Sequence, residues 1–201
     1  GLGDVYKRQD NHMDVEQLLD LFIASGCTYS FDDYIKGTYK NVSIEIQELS
    51  LKKSTGRYCW PFFHGIIMAV DFKKDFNGKI VFYSDKEIYI RCTNAGLEQI
   101  FTEDIEFNKI FNVHSNSQIE ARYILSPVFM ETLKSITKNN PNYKINGEFK
   151  NRKLYIVIST TKNWFEIPFF KPANNPLVYY HPVNDLKNLL SIIDNIVPKT
   201  F

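Results

Sequence analysis

The sequence has few of the residues, and none of the motifs, that mark the common kinds of catalytic centre. Its three cysteines, Cys27, Cys59 and Cys92, form no C-x-x-C unit of the kind that binds zinc or cycles between redox states. The four histidines form no H-E-x-x-H pair, no serine lies in a G-x-S-x-G turn, and the nine glycines are dispersed. We therefore predict no catalytic residue, no metal ligand and no cofactor from motifs.

The chain also lacks a long hydrophobic run and an excess of charge of either sign. Its longest nearly apolar segment, Phe62 to Val70, is far shorter than the roughly 18 residues that a membrane-spanning helix needs. Twenty-four Lys and Arg residues stand against 23 Asp and Glu, which gives a net charge of +1. This balance provides no basic field for phosphates, so we expect no nucleic-acid partner. The scattered cysteines indicate a reducing compartment.

What is present is enough for one folded domain. Hydrophobic residues make up 44% of the chain and aromatic residues 15%, a composition that can offset the entropy lost on folding. The segment Asp4 to Gln9 resembles a translation of the transposon end used in sequencing libraries. We therefore expect residues 1–9 to be a non-native segment, 10–201 to be a single globular domain, and the natural protein to begin upstream of Asp10.

Three segments have the apolar spacing of helices. Val15 to Ser25 follows a possible capping residue, Asp14. Ser126-Pro127 is a strong helix start, because serine can cap and proline loses no needed donor at the first helical position. We expect this middle helix to end at Asn139-Asn140-Pro141. A C-terminal amphipathic helix is predicted from Leu186, Leu189, Leu190, Ile193 and Ile196.

The first block of strands is predicted before residue 102. Alternation between Tyr34 and Lys53 changes phase near Gln47-Glu48, which predicts a β-bulge there. Phe62 to Phe72 and Lys79 to Tyr83 flank polar turn residues and are predicted to form a hairpin. Further along, Glu87 to Arg91 is predicted as a short strand and Leu97 to Phe101 as a helical turn.

The second block follows the middle helix. Tyr143 to Phe149 and Leu154 to Ser159 are predicted to form a hairpin, with Trp164 to Phe169 as a third strand beside it. Leu154 to Ile158 is apolar enough to be the central strand, buried on both faces. Because strands and helices come in blocks, we predict an α+β fold with mostly antiparallel strands.

The run Ile119-Glu120-Ala121-Arg122-Tyr123 carries the most suggestive chemistry. On a strand, an acid and a base two residues apart share one face and can form an ion pair. A buried structural pair is favoured over a catalytic dyad, because no nucleophile or second acid lies nearby in the sequence.

The middle of the chain contains two motifs, Glu106-Phe107 followed by Phe111, and Glu120-Ala121-Arg122-Tyr123 followed by Pro127, Phe129 and Met130. These motifs resemble the bacterial family known as domain of unknown function 3137. The family pattern is similar to E-F-x-x-x-F-x-V followed by E-A-R-Y-x-L-T-P-x-F-M, with Ser126 here in place of the usual threonine. The resemblance covers roughly Leu18 to Glu166. The residues that carry the signature are Glu106, Phe107, Phe111, Glu120, Ala121, Arg122, Tyr123, Pro127, Phe129 and Met130.

The resemblance implies a location but no activity. Family members usually carry two hydrophobic membrane segments before this domain, so a membrane-anchored parent protein is expected, with the domain in the cytoplasm at the inner face of the bacterial cell membrane. The resemblance brings no assigned reaction, substrate or catalytic residue. The function therefore stays open at this stage.

Three hypotheses follow. The first is a non-enzymatic module that interacts with a protein or senses a small molecule beside a membrane. The second is an enzyme whose site assembles from distant residues, with Glu120, Arg122, His64 and His114 as contributors. The third is a lipid-headgroup binder of pleckstrin-homology type that uses Lys52-Lys53 or Lys73-Lys74.

Overall fold

Nine strands form one sheet in the computed structural model, and every pairing among them is antiparallel. The structure describes residues 6–7, 12–13, 27–71, 78–84, 95–165, 184, 186–187, 189–191 and 193–194. The order across the sheet is β1-β2-β3-β4-β9-β8-β5-β7-β6. The strands are β1 (Tyr6–Lys7), β2 (Cys27–Tyr39), β3 (Val42–Thr55), β4 (Tyr58–Asp71), β5 (Ile80–Tyr83), β6 (Glu98–Ile100), β7 (Asn112–Ser115), β8 (Lys144–Lys150) and β9 (Lys153–Ser159).

Three helices between β6 and β8 start at capping side chains. They are α1 (Ile105–Ile110), α2 (Gln118–Ile124) and α3 (Pro127–Asn139). Asp104, Ser117 and Ser126 each accept a hydrogen bond from a backbone N–H of the first turn. The predicted start of the middle helix at Ser126-Pro127 and its predicted end are confirmed. No helix among the described residues has the length and hydropathy needed to cross a bilayer.

The described residues between 184 and 194 are helical, as the C-terminal prediction requires. Leu189, Leu190 and Ile193 are buried, whereas Lys187 and Ser191 are exposed, so the helix is amphipathic. Asp194 ties it to the turn between β2 and β3: its carboxylate accepts from Tyr39 Oη at 3.0 Å and pairs with Lys40 Nζ at 2.6 Å.

The sheet is apolar on both faces. One face, here called the helix face, packs against all three helices and the C-terminal helix through residues such as Ile66, Phe82 and Ile156. The second face carries a smaller cluster around Leu51 and Ile67. β9 lies between β4 and β8 with residues of both faces buried, so the prediction of a central strand is confirmed.

The predicted hairpin of β4 and β5 is wrong. β4 pairs with β9 and β5 pairs with β8, so the β8–β9 hairpin lies between them. The physical reason is that β9 is apolar on both faces and needs a neighbour on each side. The predicted β8–β9 hairpin itself is confirmed, and its two turn residues, Asn151 and Arg152, both have positive φ, as a type I′ turn requires.

The phase change in β3 reflects a change of buried face and not a bulge at Gln47-Glu48. Ile44 and Ile46 face the helices, whereas Leu49 and Leu51 join the cluster of the second face. A register shift does lie at this point of the β2–β3 pairing, but the extra residue is in β2, between Phe31 and Tyr34 and opposite Glu48. A second register shift occurs between Leu51 and Lys52 in the pairing with β4.

Two smaller predictions are also wrong. Leu97–Phe101 contains strand β6 where a helical turn was predicted, because Glu98–Ile100 pairs with β7. The strand predicted over Trp164 to Phe169 does not lie beside the β8–β9 hairpin, because β4 and β5 pair with its two edges. Trp164 and Phe165 are not in a strand, and residues 166–169 lie outside the described residues. The α+β class with antiparallel strands is confirmed. The predicted helix Val15 to Ser25, the predicted strand Glu87 to Arg91 and the turn residues Lys73 to Asn77 lie outside the described residues.

Candidate functional site

The signature residues divide into a buried group, an exposed group and Glu120, which is half-buried. Phe107, Phe111, Ala121, Phe129 and Met130 belong to the core between the helices and the sheet. Their role is packing, because Phe82 of the sheet meets the rings of Phe111 and Phe129 edge-on. The exposed members, which this packing does not explain, are Glu106, Arg122, Tyr123 and Pro127.

The run Ile119–Tyr123 is helical and not a strand. Ser117 and Glu120 form the S-x-x-E pattern that starts a helix, and Ser117 Oγ accepts from Glu120 N at 3.4 Å. That capping pattern was the signal in the sequence that predicts the helix. Residues two apart on a helix point to different sides. Glu120 is therefore not the partner of Arg122, which instead lies 4.0 Å from the exposed Glu103.

The four residues of the enzyme hypothesis do not converge. His64 on β4 points to the helix face, whereas His114 on β7 points to the second face beside Val81. Four strand spacings separate β4 from β7, or about 19 Å. Arg122 and Glu120 point to different sides of α2. This particular set of residues therefore forms no single site.

His64 takes part in a polar chain that was not predicted from the sequence. Its Nε2 lies 3.1 Å from the carbonyl oxygen of Lys162, which can only accept, so we assign the proton to Nε2. Nδ1 then accepts from Ser50 Oγ at 2.9 Å. The buried Glu48 carboxylate lies 3.7 Å from Nε2 and accepts from Trp164 N at 2.8 Å. This chain holds the loop 160–165 against β3 and β4.

That loop forms one wall of a groove of about 910 Å³. The second wall is α3, which contributes Thr132, Ser135, Ile136 and Asn139, and the third is the C-terminal helix with Leu189. Trp164 is almost completely buried, with its ring 5.7 Å from that of Tyr143. Apolar side chains thus form the floor of the groove and short polar side chains line its rim.

The electrostatics of the groove are close to neutral. Among the described residues, its polar lining is mostly hydroxyl and amide groups, and the one carboxylate among them, Glu131, pairs with Lys134 at 2.8 Å. Trp164 Nε1 is buried and has no acceptor within hydrogen-bonding distance in the part of the chain that the structure describes. Leaving such a donor unsatisfied costs about 1–3 kcal/mol.

Two further buried polar pairs lie on the second face of the sheet. Tyr83 Oη is 2.9 Å from His114 Nδ1, and Lys79 Nζ is 3.0 Å from the buried Glu148 carboxylate. Burial lowers the pKa of His114, because a charged imidazolium loses its hydration there. Both pairs join neighbouring strands and lie on the opposite side of the sheet from the groove.

A smaller pocket brings two exposed signature residues together with a buried one, Met130. Arg122, Pro127 and Met130 line it with Thr102 and Glu103, and its volume is about 150 Å³. The described residues contain no group of three His, Cys, Asp or Glu side chains close enough to hold a metal ion. The groove beside α3 is therefore the better candidate for a binding site.

Comparison with solved structures finds a distant likeness. The chain resembles the crystal structure of the mycobacterial trehalose monomycolate transport factor A, TtfA, with a TM-score of 0.37 and 10% sequence identity, over 81% of this chain and 73% of that chain. Similarity at this level gives no basis for transferring a function. No curated protein matches the chain.

Comparison with protein families confirms the resemblance seen in the sequence. The profile described as "Protein of unknown function (DUF3137)" matches residues 62–197, which is more than half of the chain. The matched range begins inside β4 and includes all three helices, the groove and the signature residues. The chain belongs to the DUF3137 family.

Proposed function

We propose that this domain is a non-enzymatic binding module whose ligand is an uncharged, elongated small molecule held in the groove between α3, the loop 160–165 and the C-terminal helix. The groove itself carries the proposal. At about 910 Å³ it has the size typical of small-molecule sites. It also combines an apolar floor with a few polar groups, which is the lining that such sites use.

The lining selects the class of ligand. Val128, Ile136 and Tyr143 offer apolar and aromatic surface, which favours a flat or aliphatic body. Hydroxyl and amide groups on α3 can exchange hydrogen bonds with neutral polar groups. An anionic or cationic ligand would lack a counter-charge, because Glu131 is already paired with Lys134.

Nile red, an uncharged solvatochromic dye, tests the groove directly. We expect saturable binding with a blue shift of its emission. Ser135→Trp places a large ring in the groove from an exposed position of α3 and should weaken binding at least about tenfold. Lys138→Trp lies on the same helix outside the lining and is the matched control. Equal binding by both variants, or no saturable binding, would contradict the proposal.

The alternative of an enzyme makes an opposite prediction. Robust turnover of ester, amide or phosphate substrates by the purified domain would overturn the non-enzymatic proposal. The polar chain of Ser50, His64 and Glu48 gives this test its variant, because Ser50→Ala would abolish a turnover that depended on this hydroxyl.

We also propose that the domain works beside the cytoplasmic face of a bacterial membrane, attached to an upstream anchor. The family resemblance supports this location. Sequencing the uninterrupted upstream coding region tests it, with two hydrophobic segments as the expected finding. Fractionation of cells that express the natural gene is the second measurement, and recovery of the protein without membranes would contradict the location.

A further inference from the structure

The long strands β2, β3 and β4 extend beyond the rest of the sheet. β4 pairs with β9 only from Gly65 to Asp71, whereas its pairing with β3 continues to Tyr58. The extension, here called the ribbon, consists of residues 27–31 and 50–64, including the turn at Gly56 and Arg57. At about 3.3 Å per residue it reaches roughly 20 Å past the last residue of β4 that pairs with β9.

The two faces of the ribbon differ in chemistry. Strand alternation and the observed register place the aromatic side chains on one face, which is continuous with the apolar cluster of the second sheet face. The opposite face carries Thr28, Ser30, Ser50 and Lys52. The aromatic residues are Tyr29, Phe31, Tyr58 and Trp60, which are 38%, 37%, 72% and 42% exposed.

The charge of the ribbon has one sign. Lys52, Lys53 and Arg57 are its basic residues, and residues 27–31 and 49–64 contain no Asp or Glu. None of the three forms an ion pair with any residue that the structure describes, although Lys53 Nζ lies 5.9 Å from the centre of the Phe62 ring. In a chain whose net charge is only +1, this end is locally basic.

We propose that the ribbon docks on an anionic lipid bilayer. Tyr and Trp favour the boundary between headgroups and acyl chains, because their rings are apolar while their O–H and N–H groups stay hydrated. Lys and Arg beside them meet lipid phosphates, and each contributes to membrane affinity. The exposed Tyr58 and Trp60 provide the aromatic contact with the interface, and the basic residues of the ribbon provide the attraction to phosphates. The inference is independent of the groove.

A bilayer suits the ribbon better than a nucleic acid does. Single-stranded nucleic acid needs a basic groove that follows its backbone along successive stacked bases. Here the basic residues concentrate near one turn, and the exposed aromatic residues Tyr58 and Trp60 are followed on the same strand by the half-buried Phe62 and Phe63. Such a face fits the edge of an acyl layer.

Flotation of the full chain with vesicles tests the proposal. Vesicles of 30% phosphatidylglycerol in phosphatidylcholine should carry the protein, pure phosphatidylcholine should carry much less, and high salt should release it. Lys52→Glu with Lys53→Glu should weaken binding by more than about tenfold. Lys138→Glu with Lys187→Glu changes the same charge at exposed helix positions and should leave binding almost unchanged.

Trp60 reports on insertion. In a Trp164→Phe background, Trp60 emission should shift to the blue on binding and be quenched by lipids with brominated acyl chains. Tyr58→Ser with Trp60→Ser should reduce flotation while keeping Nile red binding, which separates this inference from the proposed function. The proposal would be overturned if the wild type did not float with anionic vesicles or if it bound an oligonucleotide preferentially. It would also be overturned if Lys138→Glu with Lys187→Glu weakened vesicle binding as much as the ribbon variant does.

Discussion

Gly147 on β8 lies directly opposite Phe82 on β5, with the Phe82 ring over its Cα. A β-carbon at position 147 would stand 2.6 Å from Cε1 of Phe82 and 2.8 Å from the backbone oxygen of Tyr155. The Phe82 ring cannot move away easily, because it packs edge-on against Phe111 and Phe129. Glycine at this position is therefore part of the aromatic core.

The first prediction follows from this contact. Gly147→Ala should lower the free energy of unfolding by about 1–3 kcal/mol, because the core has no space for the added carbon. The measurement is urea unfolding followed by far-UV circular dichroism. Gly147→Ala combined with Phe82→Leu should cost less than the sum of the single changes, and full additivity would contradict the contact.

The second prediction concerns Asp104, which caps α1 and pairs with Lys134 of α3 at 2.7 Å. The Lys134 ammonium and the Phe107 N–H hold the pKa of the Asp104 carboxyl below its usual value. A lowered acid pKa adds stability above the unfolded pKa, which is lost as pH falls through the folded pKa. Asp104→Asn keeps the capping hydrogen bond and loses the ion pair with Lys134. The free energy of unfolding of this variant should therefore change less with acid pH than that of the wild type. Glu106→Gln, in an exposed pair, is the control.

The third prediction concerns His114, whose pKa is lowered by burial. At pH values just below its ordinary pKa the unfolded chain binds a proton that the folded chain does not. Stability should be complete above about pH 6.5 and fall as the pH drops from there toward the folded pKa. His114→Gln should reduce this loss between pH 7.5 and 5 in chemical denaturation. An unchanged pH profile would show that other groups cause the loss.

The fourth prediction concerns Arg152 in the turn between β8 and β9. Its φ of 63° is in the left-handed region, which costs a residue with a β-carbon roughly 1–2 kcal/mol. Arg152→Gly creates the Asn-Gly pair that type I′ turns favour. The greater freedom of glycine in the unfolded chain offsets part of the gain, so we expect a stabilisation of up to about 1 kcal/mol by thermal unfolding. A lower melting temperature would contradict the turn geometry.

The fifth prediction tests the chain that holds the groove wall. Glu48 is buried and accepts from Trp164 N, so Glu48→Ala would leave that N–H without its acceptor. The expected loss is about 1–3 kcal/mol, with a red shift of tryptophan emission as Trp164 becomes hydrated. Glu48→Gln keeps an acceptor oxygen and should cost less. Equal losses in the two variants would indicate that the charge, and not the hydrogen bond, matters.

Local signals in the sequence predict the parts of the fold that are local. Ser126-Pro127 predicts a helix start because the cap and the proline act within one turn. The β8–β9 hairpin is similarly determined by two residues between apolar strands. The same reasoning fails for β4 and β5, where polar turn residues suggest a hairpin. β4 pairs instead with β9, which is distant in the sequence.

The candidate site could not be predicted from the sequence for the same reason, because it depends on contacts between distant segments. The groove joins residues of α3, the loop 160–165 and the C-terminal helix, and no motif in the sequence links these three segments. His64 shows how proximity arises: its partner Ser50 faces it because β3 and β4 pair in one register. No spacing within either strand encodes that register on its own. The capping box at Ser117 was a local signal, and it predicts the helix that corrects the Glu120–Arg122 pair.

The insertion of β8 and β9 between β4 and β5 has a consequence for synthesis of the protein on the ribosome. β4 is complete early, yet the strand that covers one of its edges is made last among the nine. Until then the nascent chain presents an open, apolar edge that can pair with another copy. Slow translation of residues 84–143, or cleavage within them, should therefore favour aggregates and chaperone-bound fragments. In both cases β4 lacks its partner strand β9.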